Sequence, residues 1–326
     1  RRALRRERST AGARPPSYGL VVGCSSAAAG RPRNEDRCLS SLYAQWPGGE
    51  VGLVAVADGM GGMGEGDRAS TVAVEALAGA FDKRPSDDCS QVLTSALDDA
   101  RRQIQALNEA DGHYMGTTCT AVAVDAQSIH VAHIGDCRAY LLRNGALHRL
   151  TADHSAYEAE MRQVSEGDEP PSPDLRSVLL RAIGPFDSAE PDMSVLRWEP
   201  GDTVVVCSDG VWQSVAEDAI AAEFGSAPLQ GACDQLVQAA MAAGTDDNAS
   251  VAAIQVGPRS TAARAGSTRR PPPVRRPAQP WKLGLSASAL VVALVGGVIV
   301  HNTRAPGAWY PGQRYSSTSS RFFSSR

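Results

Sequence analysis

The stretch that decides the fold of this chain is VGLVAVADGMGGMGEGDRAS, residues 51–70. Residues 51–57 are apolar and partly β-branched, which predicts a short buried strand. Asp58 follows directly, and a carboxylate at the end of a buried strand is costly unless a cation or hydrogen-bond donors meet it. The glycines at 59, 61, 62, 64 and 66 let the backbone turn tightly and approach a ligand. An isolated Asp-Gly pair is more often a surface turn, but its recurrence in this chain indicates a binding site.

The rest of residues 17–257 shows an α+β pattern. Apolar residues at helical spacing predict four helices, at residues 66–81, 89–110, 217–224 and 229–243. Shorter apolar runs predict strands at residues 18–24, 38–43, 51–57, 117–124, 129–134, 139–142, 146–150, 193–198, 203–207 and 249–256. Residues 154–178 are polar and contain three prolines, so we expect them to form a mobile flap over the site.

The charges are divided unevenly along the chain. Residues 15–256 contain 35 acidic and 15 basic residues, a net charge of −20, whereas residues 257–326 contain 11 Lys or Arg and no acid. An acidic domain binds nucleic acid poorly and divalent cations well, so we expect no nucleic-acid partner. Seven cysteines without a C-x-x-C pair predict neither a disulfide framework nor a zinc site, and they are typical of a reducing compartment.

Carboxylates recur beside the ends of the predicted strands, at Asp36, Asp58, Asp136, Asp209 and Asp247. Two unit charges about 4 Å apart repel by roughly 4 kcal/mol at an effective dielectric constant of about 20. If these side chains converge, only bound cations would make the cluster tolerable. Oxygen ligands without a partner His or Cys suit Mg²⁺ or Mn²⁺ and not zinc.

These residues resemble the motifs of the metal-dependent serine/threonine protein phosphatases of type 2C. The matching segments, in that family's order, are Arg31-x-x-Asn34-Glu35-Asp36, Val56 to Gly62, Gly116-Thr117-Thr118, Gly135-Asp136-Cys137-Arg138, Ser208-Asp209-Gly210 and Asp247-Asn248. Each motif is weak alone, but the ordered set is specific and covers almost all of residues 17–256. The resemblance, in its bacterial form, implies a sandwich of two antiparallel β-sheets flanked by pairs of α-helices.

The resemblance also implies the site. Two bridged Mn²⁺ or Mg²⁺ ions are expected, with a weaker third ion, and the implied ligands are Glu35, Asp36, Asp58, the Gly59 carbonyl, Asp136, Asp209 and Asp247. Asp58 would bridge the two ions, and Arg31 would bind the substrate phosphate. The implied reaction is hydrolysis of phosphoserine and phosphothreonine in proteins by a water that the metals activate. Asp58, Asp209 and Arg31 are the residues expected to be essential for catalysis.

Four positions depart from the family's pattern. Met60 and Met63 stand where relatives carry histidine, Cys137 replaces a common serine, and Leu180 replaces a common threonine. None of these changes removes a metal ligand. The sequence leaves three candidates for the acid that protonates the leaving group, namely His133, His154 and a metal-bound water. One alternative is a pseudophosphatase that binds a signalling partner, and another is a phosphatase of a phosphorylated anti-sigma antagonist. The intact aspartates favour an enzyme.

The composition changes outside residues 17–257. Residues 1–16 are predicted to be a disordered basic arm and residues 258–282 a Pro/Arg-rich linker. Residues 283–300 carry no charge and would span about 27 Å as a helix, enough for one transmembrane pass. The basic linker predicts a cytoplasmic catalytic domain at the inner membrane, with residues 301–326 as a short outer tail. Membrane Ser/Thr kinases and their substrates would then be natural partners.

Overall fold

The structure, a computed structural model, describes residues 18–46, 48–61, 65–112, 114–165, 167–184 and 190–258. The basic arm, the linker, the transmembrane segment predicted at residues 283–300 and the outer tail therefore lie outside the described residues. Within the described ranges, no helix is both long enough and apolar enough to cross a membrane. All seven cysteines fall in these ranges and are free thiols, as the sequence predicts.

Two antiparallel sheets form the centre of the described part of the chain. The strands are β1 (Tyr18–Ala27), β2 (Arg37–Trp46), β3 (Gly49–Ala57), β4 (Gly59–Gly61), β5 (Met115–Thr117), β6 (Cys119–Val124), β7 (Ser128–Ile134), β8 (Arg138–Arg143), β9 (Ala146–Arg149), β10 (Asp192–Arg197), β11 (Thr203–Cys207) and β12 (Ala249–Pro258). One sheet has the order β1-β12-β11-β8-β9 and the other the order β10-β7-β6-β3-β2, while β4 pairs with β5 alone.

Two pairs of helices cover the outer faces of both sheets, and the described ranges contain six α-helices. They are α1 (Gly66–Lys83), α2 (Cys89–Asp111), α3 (Ala156–Met161), α4 (Asp209–Trp212), α5 (Glu217–Ser226) and α6 (Leu229–Ala242). The pair α1 and α2 packs on the sheet that contains β3, and the pair α5 and α6 packs on the sheet that contains β12. The predicted sandwich with flanking helix pairs is confirmed.

Alternation along β3 shows how the layers are held together. Leu53 and Ala55 are fully buried in an apolar cluster with α1 and α2. Val54 and Val56 point to the opposite face and are buried against the second sheet, where they share a cluster with Ile254 of β12. Because successive side chains of a strand point to opposite faces, a strand buried on both sides appears in the sequence as one continuous apolar run.

Two local predictions needed correction, and the structure adds detail to a third. The predicted strand 117–124 is divided at Thr118, whose backbone N–H donates to the Asp58 carbonyl (2.8 Å) and so leaves the sheet ladder. Residues 59–61, predicted as part of a glycine loop, form β4 and pair with β5. The segment 154–178, predicted as a mobile flap, contains α3 and a 3-10 helix at Pro173–Ser177. The Ser155 side chain caps α3 by accepting from the Glu158 N–H.

Candidate metal centre

The five aspartates named above all lie where the chain enters or leaves a strand. Asp58 follows β3, Asp209 follows β11, and Asp136 lies between β7 and β8, whereas Asp36 precedes β2 and Asp247 shortly precedes β12. The two sheets bring these strand ends together. Burial, and then the negative charges of the other four aspartates, raise the pKa of Asp58 well above its ordinary value. The convergence that the sequence could only suggest is therefore present.

Asp58 is fixed through its backbone, which leaves its carboxylate free for other contacts. Its N–H donates to the Thr118 hydroxyl (3.1 Å), and its carbonyl accepts from the Thr117 hydroxyl (2.9 Å) and the Thr118 N–H. The Gly-Thr-Thr motif thus positions the residue at the end of β3. The side chain itself lines a cleft of about 520 Å³ together with Glu35, Met60 and Asp247.

Asp36 is almost completely buried, with 1% of its surface exposed. Its Oδ2 accepts a hydrogen bond from the Ser208 hydroxyl (2.8 Å), and the Ser208 hydroxyl oxygen in turn accepts from the Ser250 N–H (3.0 Å). Oδ1 has no hydrogen-bond partner. Burial raises the pKa of Asp36 to about 6. One oxygen of this buried carboxylate, Oδ1, is therefore available to bind a ligand.

Asp136 and Asp209 share this property. Oδ1 of each is buried without a hydrogen-bond partner, while Oδ2 of Asp209 accepts from the Gln213 amide (3.0 Å). Burial and the charge of Asp247 raise the pKa of Asp209 to about 7. Burial and the charge of Asp209 also raise the pKa of Asp136. Protein interiors rarely leave such atoms unpaired, because each costs roughly 1–3 kcal/mol or more.

The donor set fits Mg²⁺ or Mn²⁺. In the described part of the chain, three buried carboxylate oxygens without partners come from aspartates at neighbouring strand ends, and these are hard, negatively charged oxygen atoms. No His or Cys of the described ranges joins these carboxylates in a group of metal-ligand spacing. A zinc ion favours sulfur and nitrogen ligands, so this all-oxygen donor set suits it poorly.

Proton competition should make the affinity for Mn²⁺ depend on pH. Asp36 and Asp209, with pKa values raised to about 6 and about 7, are protonated in the cation-free fold as the pH falls below these values. Their folded pKa values exceed the unfolded ones, so they stabilise the cation-free fold at low pH and lose that contribution as the pH rises through about 6–7. Mn²⁺ must displace these protons to bind. Below pH 7, the affinity for Mn²⁺ should therefore fall by up to about tenfold per pH unit for each proton displaced.

Calorimetric titration of Mn²⁺ between about pH 8 and about pH 5.5 tests this expectation. Replacing the exposed Asp82 by asparagine is the matched control, because Asp82 lies at the far end of α1 and should leave the pH profile unchanged. An affinity independent of pH in this range would contradict proton competition at these carboxylates.

Gly59 and Gly66 have no room for a side chain. A Cβ atom on Gly59 would lie 2.0 Å from the Gly66 carbonyl oxygen and 2.7 Å from that of Glu35. One on Gly66 would lie 2.5 Å from a Glu35 side-chain oxygen. The start of α1 therefore packs directly on the backbone that follows Asp58, and the Gly59 carbonyl, an implied ligand, lies in this contact.

Arg31 lies at the rim of the same cleft, with 53% of its side chain exposed. Its Nη2 donates to the Asp247 carboxylate (2.8 Å) and its Nε donates to the Asp246 carbonyl (2.9 Å). A guanidinium group has five N–H donors, so donors remain for a phosphate group. Arg37 is not equivalent, because its guanidinium donates to Thr71 and to nearby backbone carbonyls.

Asn248 is a positioning residue to which sequence reasoning gave no role. Its Oδ1 accepts from the Glu35 N–H (2.8 Å), and its Nδ2 donates to the carbonyls of Ala28 and Arg33 (3.0 and 2.9 Å). The side chain is buried and ties the Arg31–Asp36 segment to the start of β12. The only signal in the sequence is its place directly after Asp247.

The two histidines proposed as general acids both have structural contacts. His133 bonds the Thr120 hydroxyl (2.8 Å) and the Ala152 carbonyl (3.0 Å), and burial lowers its pKa to about 4. His154 accepts from the Gly135 N–H at Nδ1 (3.0 Å), and its Nε2 contacts Asp192 and Arg181. Neither residue lines the cleft beside Asp58. Of the three candidates for the general acid, only a metal-bound water remains.

Arg138 supports the Asp136 side of the cluster, a contact that the sequence gave no means of predicting. Its guanidinium lies 3.4 Å from the centre of the Trp212 ring and forms a salt bridge with the buried Asp153 (2.8 Å). The Trp212 indole N–H donates to the Asp136 carbonyl (3.0 Å). The stack therefore holds the backbone of Asp136 against α4, which carries Asp209.

Comparison with known proteins agrees with this architecture. A family model described as Protein phosphatase 2C matches residues 22–245. The serine/threonine protein phosphatase PstP of Mycobacterium tuberculosis is 32% identical over 232 residues, which cover 69% of this chain and 43% of PstP. The serine/threonine phosphatase stp of Listeria monocytogenes is 32% identical over 212 residues, or 62% of this chain and 84% of stp.

Solved structures give the same result. The catalytic domain of PstP in complex with two manganese ions is 30% identical to this chain, with a TM-score of 0.63, and the match covers 74% of this chain and 99% of that domain. A serine/threonine phosphatase of S. agalactiae is 28% identical, with a TM-score of 0.64 and coverage of 73% and 99%. The chain spans less than half the length of full-length PstP. The family model covers more than half of the chain, which therefore belongs to the protein phosphatase 2C family.

Proposed function

We propose that this chain is a protein serine/threonine phosphatase that hydrolyses phosphoserine and phosphothreonine with Mn²⁺ or Mg²⁺ as cofactor. The observation that carries the proposal is the cluster of five aspartates, three of which have a buried oxygen without a partner, beside a cleft with Arg31 at its rim. The names of PstP and stp, and the two manganese ions in the PstP catalytic domain, support it.

The residues divide into groups by position. Asp58 lines the cleft with Glu35 and Asp247, and the buried Asp36 and the half-buried Asp209 complete the set that would hold two cations. Asp136, next to Asp209, would serve a weaker third ion. When bound, the two ions would lower the pKa of a water and neutralise charge on the phosphoryl group.

The chain's own groups would orient the substrate. The free donors of Arg31 face the cleft and can hold phosphate oxygens by charge-assisted hydrogen bonds. Met60, where relatives carry a histidine, lines the cleft and cannot donate a proton to the leaving alkoxide. With His133 and His154 occupied elsewhere, water is the candidate proton donor for the leaving group.

Phosphate release from a phosphothreonine peptide by the full chain tests the proposal directly. We expect turnover with Mn²⁺, none with EDTA, and a loss of at least about a hundredfold in Asp209→Ala, because a ligand is removed. A variant within about tenfold of the parent at saturating Mn²⁺ would contradict the two-metal mechanism. A folded parent that binds Mn²⁺ without turnover would favour the pseudophosphatase alternative.

Arg31→Ala should raise KM for a phosphopeptide by about tenfold or more, since a charge-assisted hydrogen bond to phosphate contributes about 1.5–3 kcal/mol. Its affinity for Mn²⁺ should not weaken, because the substitution removes a positive charge 2.8 Å from Asp247. Arg102→Ala, on the exposed face of α2, is the control. An unchanged KM would indicate that Arg33, which lines the same cleft, binds the phosphate instead.

We also propose that residues 283–300 anchor the enzyme in the cytoplasmic membrane with its catalytic domain in the cytoplasm. The uncharged 18-residue run and the acid-free basic linker before it support this orientation. A flexible linker of about 24 residues would have a root-mean-square length of roughly 25–30 Å, which would place the domain near the bilayer and its membrane kinases. Protease protection in intact cells, with a tag at either end, is the test. Cleavage of the catalytic domain from outside, or its release by salt alone, would contradict it.

A further inference from the structure

Three potential metal ligands meet at the end of the sheet opposite the aspartate cluster. They are Cys89, the first residue of α2, Asp125, which follows β6, and His130 in β7. One ligand atom from each lies within 4.8 Å of the other two. Thr118, which holds Asp58, precedes β6, so the length of this strand separates the two sites by about 20 Å. The group is therefore independent of the phosphatase centre.

The polar contacts within the group suit a bound cation. His130 Nε2 lies 2.9 Å from Asp125 Oδ2, and His130 Nδ1 lies 2.8 Å from the Ser90 hydroxyl. With Nδ1 protonated and donating to Ser90, the Nε2 lone pair would point toward the carboxylate. Metal-binding histidines are commonly held in this way, with the second nitrogen donating to a neighbouring group.

The distances require only small movements. Zinc lies about 2.3 Å from a thiolate and about 2.0–2.2 Å from histidine nitrogen or carboxylate oxygen, so its ligands are about 3.3–3.7 Å apart in a tetrahedral site. Shifts of about 1 Å at most would bring the three atoms to these separations. The Asp125 carboxylate also accepts from the Gln127 and Ser128 N–H groups, which hold it in place.

We propose that Cys89, Asp125 and His130 form a second metal site, for a thiophilic divalent cation of the zinc class with water as the fourth ligand. One thiolate and one carboxylate would balance the two positive charges. Cys89 is fully buried and His130 nearly so, whereas Asp125 is more exposed and marks the side from which the ion would enter. The bound ion would link the first turn of α2 to the turn between β6 and β7.

One consequence concerns metal uptake. Burial raises the pKa of the Cys89 thiol to about 12, so the ion must displace a proton from sulfur and its affinity should increase with pH. The sequence gives no recognisable zinc motif, because the ligands are far apart at positions 89, 125 and 130 and meet only when α2 packs on the sheet.

Cobalt(II) titration of the full chain, in saturating Mg²⁺, is the test. A thiolate-to-cobalt charge-transfer band should appear with one equivalent of Co²⁺ and disappear when Zn²⁺ is added, whereas the all-oxygen centre gives no such band. Cys89→Ser should lose the band, and Asp125→Asn should weaken it. Cys24→Ser, a change at a partly exposed cysteine on β1, is the matched control and should keep it. Mn²⁺-dependent phosphatase activity of each variant reports its fold.

The proposal is overturned if the parent shows no thiolate band, if the band persists in Cys89→Ser, or if it is lost in Cys24→Ser. A second measurement is the melting temperature. Zn²⁺ should raise the Tm of the parent and leave that of Cys89→Ser unchanged, and an equal rise in both would also overturn the proposal. If Cys89→Ser does not fold, His130→Gln gives the same two readouts.

Discussion

Replacing Asp58 with asparagine should abolish Mn²⁺-dependent phosphate release, with a loss in kcat of at least about a thousandfold. The reason is its position. Asp58 lines the cleft at the end of β3, its backbone is held by Thr117 and Thr118, and its carboxylate interacts with the charges of the four other aspartates. Asparagine keeps the shape but removes the charge that two cations would share.

The same substitution should stabilise the cation-free fold near pH 7.5. Burial and neighbouring charge raise the pKa of Asp58, so Asp58 opposes folding as the pH rises above the pKa of an unfolded aspartate, and this cost vanishes where the carboxyl is protonated in both states. Urea unfolding in EDTA at about pH 7.5 and about pH 4.5 should show a clearly larger gain at the higher pH.

Asp82→Asn, an exposed substitution at the end of α1, should change neither activity nor stability by a measurable amount. An Asp58→Asn variant that is less stable than the parent in EDTA at pH 7.5 would show that the cluster is not electrostatically strained. Residual activity within tenfold of the parent would show that Asp58 is not part of the metal centre.

The sequence predicted the strands that carry the site because both their faces are buried. The apolar run at residues 51–57 and the Asp-Gly that follows it could be identified without knowing the partner strands. The same holds for Thr203–Cys207, which runs directly into Ser208 and Asp209. A strand that ends in a carboxylate is a local pattern, and local patterns can be detected in one sequence.

The contacts that the sequence could not supply join residues far apart in the chain. Asn248 holds a segment more than 200 positions away, and Ser208 donates to Asp36 across a separation of 172 positions. Asparagine and serine are common on surfaces, so nothing in their local pattern marks them as buried. The break at Thr118 is similar, because it depends on the Asp58 carbonyl of another strand.

The general acid shows a second limit of sequence reasoning. A histidine near a metal motif is a reasonable candidate for proton transfer, and the sequence offered His133 and His154 as such candidates. Whether a ring nitrogen is free depends on its neighbours, and here the Ala152 carbonyl and the Gly135 N–H occupy the rings. Residue type predicts which chemistry a side chain can perform, whereas its partners decide whether it is available.

Gly59→Ala should cost about 2–4 kcal/mol of stability and reduce activity by at least about a hundredfold. Its Cβ would lie 2.0 Å from the Gly66 carbonyl oxygen and 2.7 Å from the Glu35 carbonyl oxygen. Both are backbone atoms and cannot rotate away, so β4 or the start of α1 must shift. Either shift displaces Asp58 and Glu35, which line the cleft on both sides of this contact.

Gly79→Ala is the matched control, because Gly79 lies within α1 and an added Cβ would meet nothing within 4 Å. Alanine is the better helix former there, so this variant should gain about 0.5–1 kcal/mol with unchanged activity. Urea unfolding with saturating Mn²⁺ and with EDTA, together with phosphate release, separates the two substitutions. If Gly59→Ala kept the parent's affinity for Mn²⁺ and its turnover, the close packing of α1 on the Asp58–Gly59 backbone would have no part in shaping the metal centre.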